Sequence, residues 1–413
     1  MKHIPNRGVR LAALLVMLSV LLTGCALLPT TITETAQAPV TDGETVTISV
    51  EEYERLQSYA ELEELRQIVD LYYYQEPDQQ AMLDGAAMGL LYGLEDPYTF
   101  YYTPEDFAAM WEDDEGEYAG IGIQIMADYT TGLCTISRVF LDSPALEVGM
   151  RKGDILTKVE DLDVVATNLQ EAVDIMRGEV GKPVNVTVLR GDQLLDFVVN
   201  RAVVHVNWVN SCMLEGDVGY ISLYEFSGDC APTFAVQLDN LMAQGAKSLV
   251  IDLRDNPGGW VDDAQKLADL FLPKGNLASL KYRDGTTEYY TTTTDGKEND
   301  IPIVVLINEY SASASEILSG ALQDLGRATI VGTQSYGKGV VQYVLPVGTR
   351  GAGMQVTVAQ YFTPNGNEVH KVGITPDVIA EMPEGDTTMY QLGDLADAQL
   401  KAAYDIALEL IEK

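Results

Sequence analysis

The period of apolar and polar positions changes several times along the chain. After a basic start (Lys2, Arg7, Arg10), an apolar run of about a dozen residues leads into Leu22-Thr23-Gly24-Cys25. The run is short for a membrane-spanning helix and has the layout of a secretion signal. Residues 26–48 have no apolar period and are rich in Thr, Pro and small polar residues, the composition of a flexible tether. From Ser49 to Leu94, apolar residues recur at three and four positions (Leu62, Leu65, Val69; Met82, Ala86, Leu90). This spacing predicts two amphipathic helices whose stripes belong to a core. Residues 116–203 alternate short β-like runs with Gly and Asp turns and enclose one helical run, Leu169 to Met176, which predicts a small mixed α/β unit. The runs "GDVGYISLYEF", "GAKSLVIDLRDNPGG", "IPIVVLIN" and "RATIVGTQSYGKGVVQYVL" then read as strands interleaved with helices over 231–242, 263–272 and 314–325. That is the alternation of a sheet with helices packed on it. "LADAQLKAAYDIALELIEK" reads as a terminal helix.

The 413 residues exceed what one hydrophobic core usually holds, so the fold class expected is multi-domain α/β. The predicted units are a signal (1–24), a tether (25–48), an N-terminal helical region (49–115), the small α/β unit (116–203), a larger α/β core (204–385) and a C-terminal helix (386–413). Formal charge is −36, and removal of residues 1–24 takes away three bases and no acid, leaving −39. Nucleic acid and anionic lipid surfaces are repelled on average. Apart from "WEDDEGE" the acids are scattered, as on a solvated surface. Cys25, Cys134, Cys212 and Cys230 form neither a disulfide scaffold nor a zinc pattern, and neither His205 nor His370 stands in a ligand cluster. No metal and no cofactor are expected.

The chemistry concentrates in two stretches. "SASASEI" follows the buried strand-like run "IPIVVLIN" and opens a helix whose apolar face is Ile317, Leu318, Ala321, Leu322 and Leu325. Ser313 and Glu316 have the spacing of a capping box, a sufficient reason for a serine at this place. Twenty-five residues later Lys338 stands between Gly337 and Gly339, ahead of an apolar run in which Lys338, Val340 and Gln342 are expected on one strand face. Burial disfavours an ammonium. Lowering a lysine from about 10.4 to about 7–8 takes roughly 4 kcal/mol and yields an amine able to take a proton from a serine hydroxyl. Gln342 orients such an amine without restoring its charge, which a carboxylate there would do. Ser335-Tyr336-Gly337-Lys338 is formally the S-x-x-K of penicillin-binding acyltransferases, but Gly337 weakens the helix that motif needs and the chain has no K-T-G.

Several motifs stand in the order and approximate spacing of the carboxyl-terminal processing proteases, peptidase family S41: "EDPYTFYYTPEDF", "LRDNPGG", "SASASEI", "ALQDLGRA", "YGKGVVQ", "YFTPNG" and "VGITPDV". The chain resembles that family over roughly residues 60–380. The segment "SPA…GM..GDIL..V…A…MRGEVG…V.V.R" resembles the PDZ domain found inside such secreted proteases, and Leu22 to Cys25 resembles a lipoprotein lipobox. The resemblance implies a helical N-terminal region, an inserted PDZ domain and an S41 α/β core. It implies Ser313 as nucleophile, Lys338 as general base and Gln342 as its orienting partner. An oxyanion hole is implied from the N–H of Ala314 and one in "NPGG", Gly258 or Gly259. Gly120, Ile121, Gly122 and Ile123 match the PDZ loop that holds a peptide carboxylate, and Arg177 is expected to couple that domain to the protease. Cys25 would carry lipid, leaving the enzyme outside the cytoplasm and tethered to the membrane. The implied partners are protein or peptide substrates with accessible C-terminal tails, together with a homodimer contact through the N-terminal helices or an adaptor protein. Tyr336 departs from the family's usual Phe. No wall-binding module follows the core in this sequence, so scaffolding is expected from the anchor or a partner. The competing reading from another class is a tail-binding PDZ lipoprotein with an inactive core.

Overall fold

A computed structural model describes residues 47–114, 116–128, 131–140, 142–294, 300–383, 388 and 390–412. The signal, the lipobox, Cys25 and nearly all of the tether lie outside the described residues. The chain divides between Met82 and Leu83 into two compact units.

The first unit contains α1 (Val50–Gln57) and α2 (Ala60–Tyr72), and α3 (Gln79–Tyr92) straddles the division. Three helices therefore stand where two are predicted. The first run breaks at Ser58, whose hydroxyl donates to Arg55 O at 2.6 Å and competes with the helical pattern. The stripes also differ from expectation: these helices bury no residue, and Leu62, Leu65 and Leu90 are more than half exposed.

In the second unit β1 (Phe100–Tyr102) and α4 (Pro104–Asp114) precede the PDZ-like insert. The insert is entered by β2 (Glu117–Gly120) and left by β9 (Ala202–His205), which pair antiparallel as a two-stranded ribbon. Between them lie β3 (Ile123–Asp128), β4 (Leu133–Val139), α5 (Pro144–Glu147), β5 (Ile155–Val159), β6 (Leu162–Asp163), α6 (Leu169–Met176), β7 (Pro183–Arg190) and β8 (Gln193–Asn200). The sheet runs β3-β4-β5-β7-β8, with β6 beside β5. Its inward residues, including Ile136, Leu156, Val186 and Val188, close on Ala172 and Met176 of α6, as the period of α6 requires.

The core that follows comprises β10 (Val209–Leu214), β11 (Val218–Leu223), α7 (Cys230–Ala243), β12 (Ser248–Asp252), α8 (Val261–Phe271), β13 (Asn276–Tyr282), β14 (Thr287–Thr291), β15 (Ile303–Ile307), α9 (Ala314–Asp324), β16 (Ala328–Gly332), β17 (Val340–Val347), β18 (Ala352–Phe362), β19 (Val378–Ile379) and α10 (Ala398–Ile411). One sheet runs β10-β11-β12-β15-β16-β19, parallel except for the antiparallel edge strand β10. Every residue of β12 and β15 is buried, since helices cover both faces. Leu249, Ile251, Ile303 and Val305 face α7, α8 and α9, and the alternate Val250, Val304 and Leu306 face Leu400, Ala403 and Ala407 of α10. Each such side chain contributes about 1.5–3 kcal/mol on leaving water. A second, antiparallel sheet runs β1-β18-β13-β14, with β17 along the other side of β18. Cys134, Cys212 and Cys230 are separate free thiols.

Candidate active site

In a parallel sheet the loops beyond the carboxyl ends of adjacent strands form a natural site. Here those of β12 and β15 interlock. Ser311 Oγ donates to Leu253 O at 2.8 Å, Ala312 N–H donates to Asn256 O at 3.0 Å, and Ser315 Oγ donates to the same carbonyl at 3.0 Å. Ser311 and Ser315 are fully buried and serve as struts. Ser313 differs. Its backbone is held at φ +55°, ψ −114°, a conformation an L-residue rarely adopts, and its side chain lines a large cleft. Only half of the expected capping box forms. Glu316 Oε2 accepts the Ser313 N–H at 2.9 Å, while the Glu316 and Ile317 N–H groups donate to the Ser313 carbonyl; the hydroxyl does not cap the helix.

Glu316 does far more than the sequence reading assigned to it. Fully buried, it also accepts Lys338 N–H at 2.9 Å, Gly337 N–H at 2.7 Å and the Ser335 hydroxyl at 2.5 Å. One carboxylate thus binds the backbone at both Ser313 and Lys338. Burial pushes its pKa up, and these hydrogen bonds pull against that shift. A glutamate on the otherwise buried face of a helix was the available signal.

Lys338 precedes β17 in a turn that needs its glycines. Gly337 has φ +87°, and a Cβ on Gly339 would lie 2.1 Å from His370 N. Burial lowers the pKa of Lys338, and the Glu316 and Asp96 carboxylates oppose the shift. Its Nζ stands 4.9 Å from the centroid of Tyr98. The turn carrying Tyr98 is closed by Asp96, which accepts Tyr98 N–H at 3.1 Å and the Thr99 hydroxyl at 2.6 Å. The role of "EDPYTFYY" thereby becomes visible: it lays an aromatic ring over the lysine.

Two expected contacts are absent among the described residues. Lys338 makes no hydrogen bond to Ser313 or to Gln342; the Gln342 amide instead donates to Thr357 Oγ1 at 3.3 Å across the strand pair. The shared face of Lys338 and Gln342 is not formed as predicted, because Lys338 lies before the strand, in the glycine turn.

The sequence left Gly258 and Gly259 as alternatives for one oxyanion donor. Gly258 N–H donates to Asn256 Oδ1 at 2.9 Å and is already engaged. Phe226 donates to Gly258 O and accepts from Trp260 N–H, so Gly259, between them, turns its own N–H away from that bridge. The Ala314 N–H, in the first turn of α9, makes no backbone hydrogen bond among the described residues. Gly258 packs closely enough that a Cβ there would lie 2.7 Å from Ser313 Cβ.

The cleft has a volume of about 1040 Å³ and holds Ser313, Lys338 and Gln342 together. All three tryptophans of the chain, Trp111, Trp208 and Trp260, line it. Trp111 of α4 stacks on Trp260 at 5.8 Å with an interplanar angle of 10°. The PDZ-like insert supplies Ile123, Tyr118 and Arg177 to the wall, with the Arg177 guanidinium 5.1 Å from the Tyr118 ring. Gly120, Ile121, Gly122 and Ile123 border a second groove of about 60 Å³ against α6. The insert is joined to the core by Lys152, paired with Asp255 at 2.9 Å, and by Arg138, whose guanidinium donates to Asn207 O and lies 3.5 Å from the Tyr224 ring centroid. Burial pushes Arg138 down to about 10. No group of metal-ligating side chains occurs among the described residues.

Comparison with known proteins agrees with this arrangement. Residues 217–380 match peptidase family S41, and residues 135–190 match a PDZ domain. The carboxy-terminal-processing protease of Bartonella bacilliformis is 38% identical over 317 residues, covering 74% of this chain and 71% of that protein. The carboxyl-terminal-processing protease of Synechocystis sp. is 35% identical over 323 residues, 77% of this chain and 75% of that one. Among solved structures, the photosystem II D1 C-terminal processing protease superposes with a TM-score of 0.59 at 26% identity, over 87% of this chain and 99% of that one.

Proposed function

The chain belongs to peptidase family S41, the carboxyl-terminal processing serine peptidases, and from that membership we propose that it cuts polypeptides with a Ser313–Lys338 dyad through an acyl-enzyme. The observation that carries this reading is the Glu316 carboxylate, which binds the backbone at both residues and fixes them on one cleft. A substrate tail engages the groove beside Gly120 to Ile123, and the chain passes into the cleft. Lys338, neutral after desolvation, swings from Tyr98 and takes the Ser313 proton as Oγ attacks the peptide carbonyl. The oxyanion receives the N–H groups of Ala314 and Gly259, each such donor being worth about 10²–10³ in rate. The ammonium of Lys338 returns its proton to the leaving amine. Lys338 then takes a proton from the water that hydrolyses the ester. Gln342, held by Thr357, lies ready to receive the amine during this movement.

The sequence Leu22-Thr23-Gly24-Cys25 supports export and lipid attachment at Cys25, so that the enzyme works outside the cytoplasm on a membrane tether. Incorporation of labelled fatty acid, lost in Cys25→Ala, tests the anchor.

The test of the dyad is turnover of an unstructured protein with an apolar C-terminal tail. Wild type cuts; Ser313→Ala and Lys338→Ala bind the tail and leave it intact. Equal cleavage by all three would move the activity elsewhere. Binding without cleavage by wild type would favour a tail-binding scaffold.

A further inference from the structure

Strand β17 hydrogen-bonds only to β18 among the described residues, so its other edge is unpaired. That edge runs along the cleft: Gln342, Tyr343, Val344 and Leu345 line it beside Ser313 and Lys338. The direction of its backbone groups follows from three separate features. In an antiparallel pair, residues alternate between those that exchange hydrogen bonds with the partner strand and those whose N–H and C=O point the other way. At the start of the strand, Gly339 O accepts Tyr361 N–H, which makes Gly339 inward. In the middle, Gln342 lies opposite Thr357, whose N–H is spent on Thr99 Oγ1 at 3.0 Å on the far side of β18. Gln342 therefore points outward. Near the end, Pro346 lies opposite Gly353 and has no N–H to give; proline is tolerated in a sheet where that position faces away from the ladder. All three agree on one alternation, in which Gln342, Val344 and Pro346 face the open edge.

We propose that the substrate backbone adds to this edge as an extra strand, exchanging hydrogen bonds with Gln342 and Val344 and so feeding the scissile bond to Ser313. The proposal rests on the peptidase reading above. The ligand is an extended polypeptide recognised by main chain, whatever its side chains. Pro346 supplies a carbonyl but no donor, which ends the pairing after two residues and keeps the edge from templating longer associations. Tyr343 and Leu345, on the opposite side-chain face of the strand from Gln342 and Val344, then flank the added chain.

The test uses the full chain with Ser313→Ala, so that binding is read without cleavage, and a fluorescent peptide whose C-terminus is amidated to keep it out of the carboxylate loop. Two measurements are made by anisotropy. Val344→Pro removes the outward donor and leaves the β17–β18 ladder intact; it is expected to weaken binding about tenfold, the upper end for one lost hydrogen bond. Single N-methyl groups placed along the peptide are expected to weaken binding at two positions, two residues apart, and to be silent between them. Loss without that period, or undiminished binding at every methylated position, overturns the added strand even if Val344→Pro folds poorly. Separately, wild type that fails to cut the same peptide refutes the peptidase reading and leaves the binding result standing.

Discussion

The ring of Tyr98 and the amine of Lys338 lie 4.9 Å apart, although they come from opposite ends of the catalytic unit. Thr99, next to Tyr98, accepts from Thr357 of β18, and Thr357 in turn receives the Gln342 amide. The turn "DPYT" is thus built into the same sheet that presents the lysine loop.

A buried amine used as a base gives a definite pH dependence. The base is active when unprotonated, so kcat/KM rises as pH passes the Lys338 pKa. Burial lowers that pKa below the ordinary 10.5, and the rising limb lies below the range of a free lysine. A profile flat between about pH 5 and 9 would remove Lys338 from the role.

Tyr98→Leu keeps apolar bulk over the amine and removes the attraction of the ring face for the ammonium. At about 0.7 kcal/mol for such a contact, the limb moves to lower pH by about half a unit. An unmoved or alkaline-shifted limb in the same assay contradicts the assigned contact.

Glu316→Gln retains volume but turns an NH₂ group toward backbone donors. Loss of a charged acceptor in a buried network is expected to lower stability by about 3 kcal/mol. Turnover is expected to fall at least about 10²-fold with little change in KM, since the positions of Ser313 and Lys338 loosen together. Chemical unfolding and steady-state kinetics measure both effects, and a fully active variant would show that other contacts suffice.

Gly258→Ala introduces a Cβ at φ +106°, 2.7 Å from Ser313 Cβ and 2.9 Å from Ala314 N. The backbone alone costs about 1–2 kcal/mol, and relief of the clash displaces the nucleophile and one oxyanion donor. Cleavage is expected to be lost in a protein that still folds and binds peptide, as judged by unfolding curves and anisotropy. Retained turnover would mean that this close approach is dispensable.

Much of this architecture is legible in the sequence because local pattern and tertiary role coincide. The run Ile303 to Ile307 is buried on both faces and can only be a central strand. Leu169–Met176 forms the helix its period predicts. Ser313 was separable from Ser311 and Ser315 by its distance from Lys338, and the structure gives the latter two their own hydrogen bonds. The choice between Gly258 and Gly259 was closed to sequence because it depends on where one N–H is spent, here on Asn256. Glu316 looked like a cap because its partners at Ser335, Gly337 and Lys338 are remote in sequence. Arg138 gave no local signal, since Asn207 and Tyr224 meet it only after the insert docks. The N-terminal stripes misled because apolar period reports that a face wants cover, and these helices bury no residue.

Because Trp111, Trp208 and Trp260 all line the cleft and the chain has no other tryptophan, its intrinsic indole fluorescence comes wholly from the walls of that cleft. The Trp111–Trp260 stack joins α4 to the residue following Gly259. Light absorbed where tyrosine is transparent therefore reads the substrate channel alone, and the protein carries its own optical probe of arrival, cleavage and release without a label.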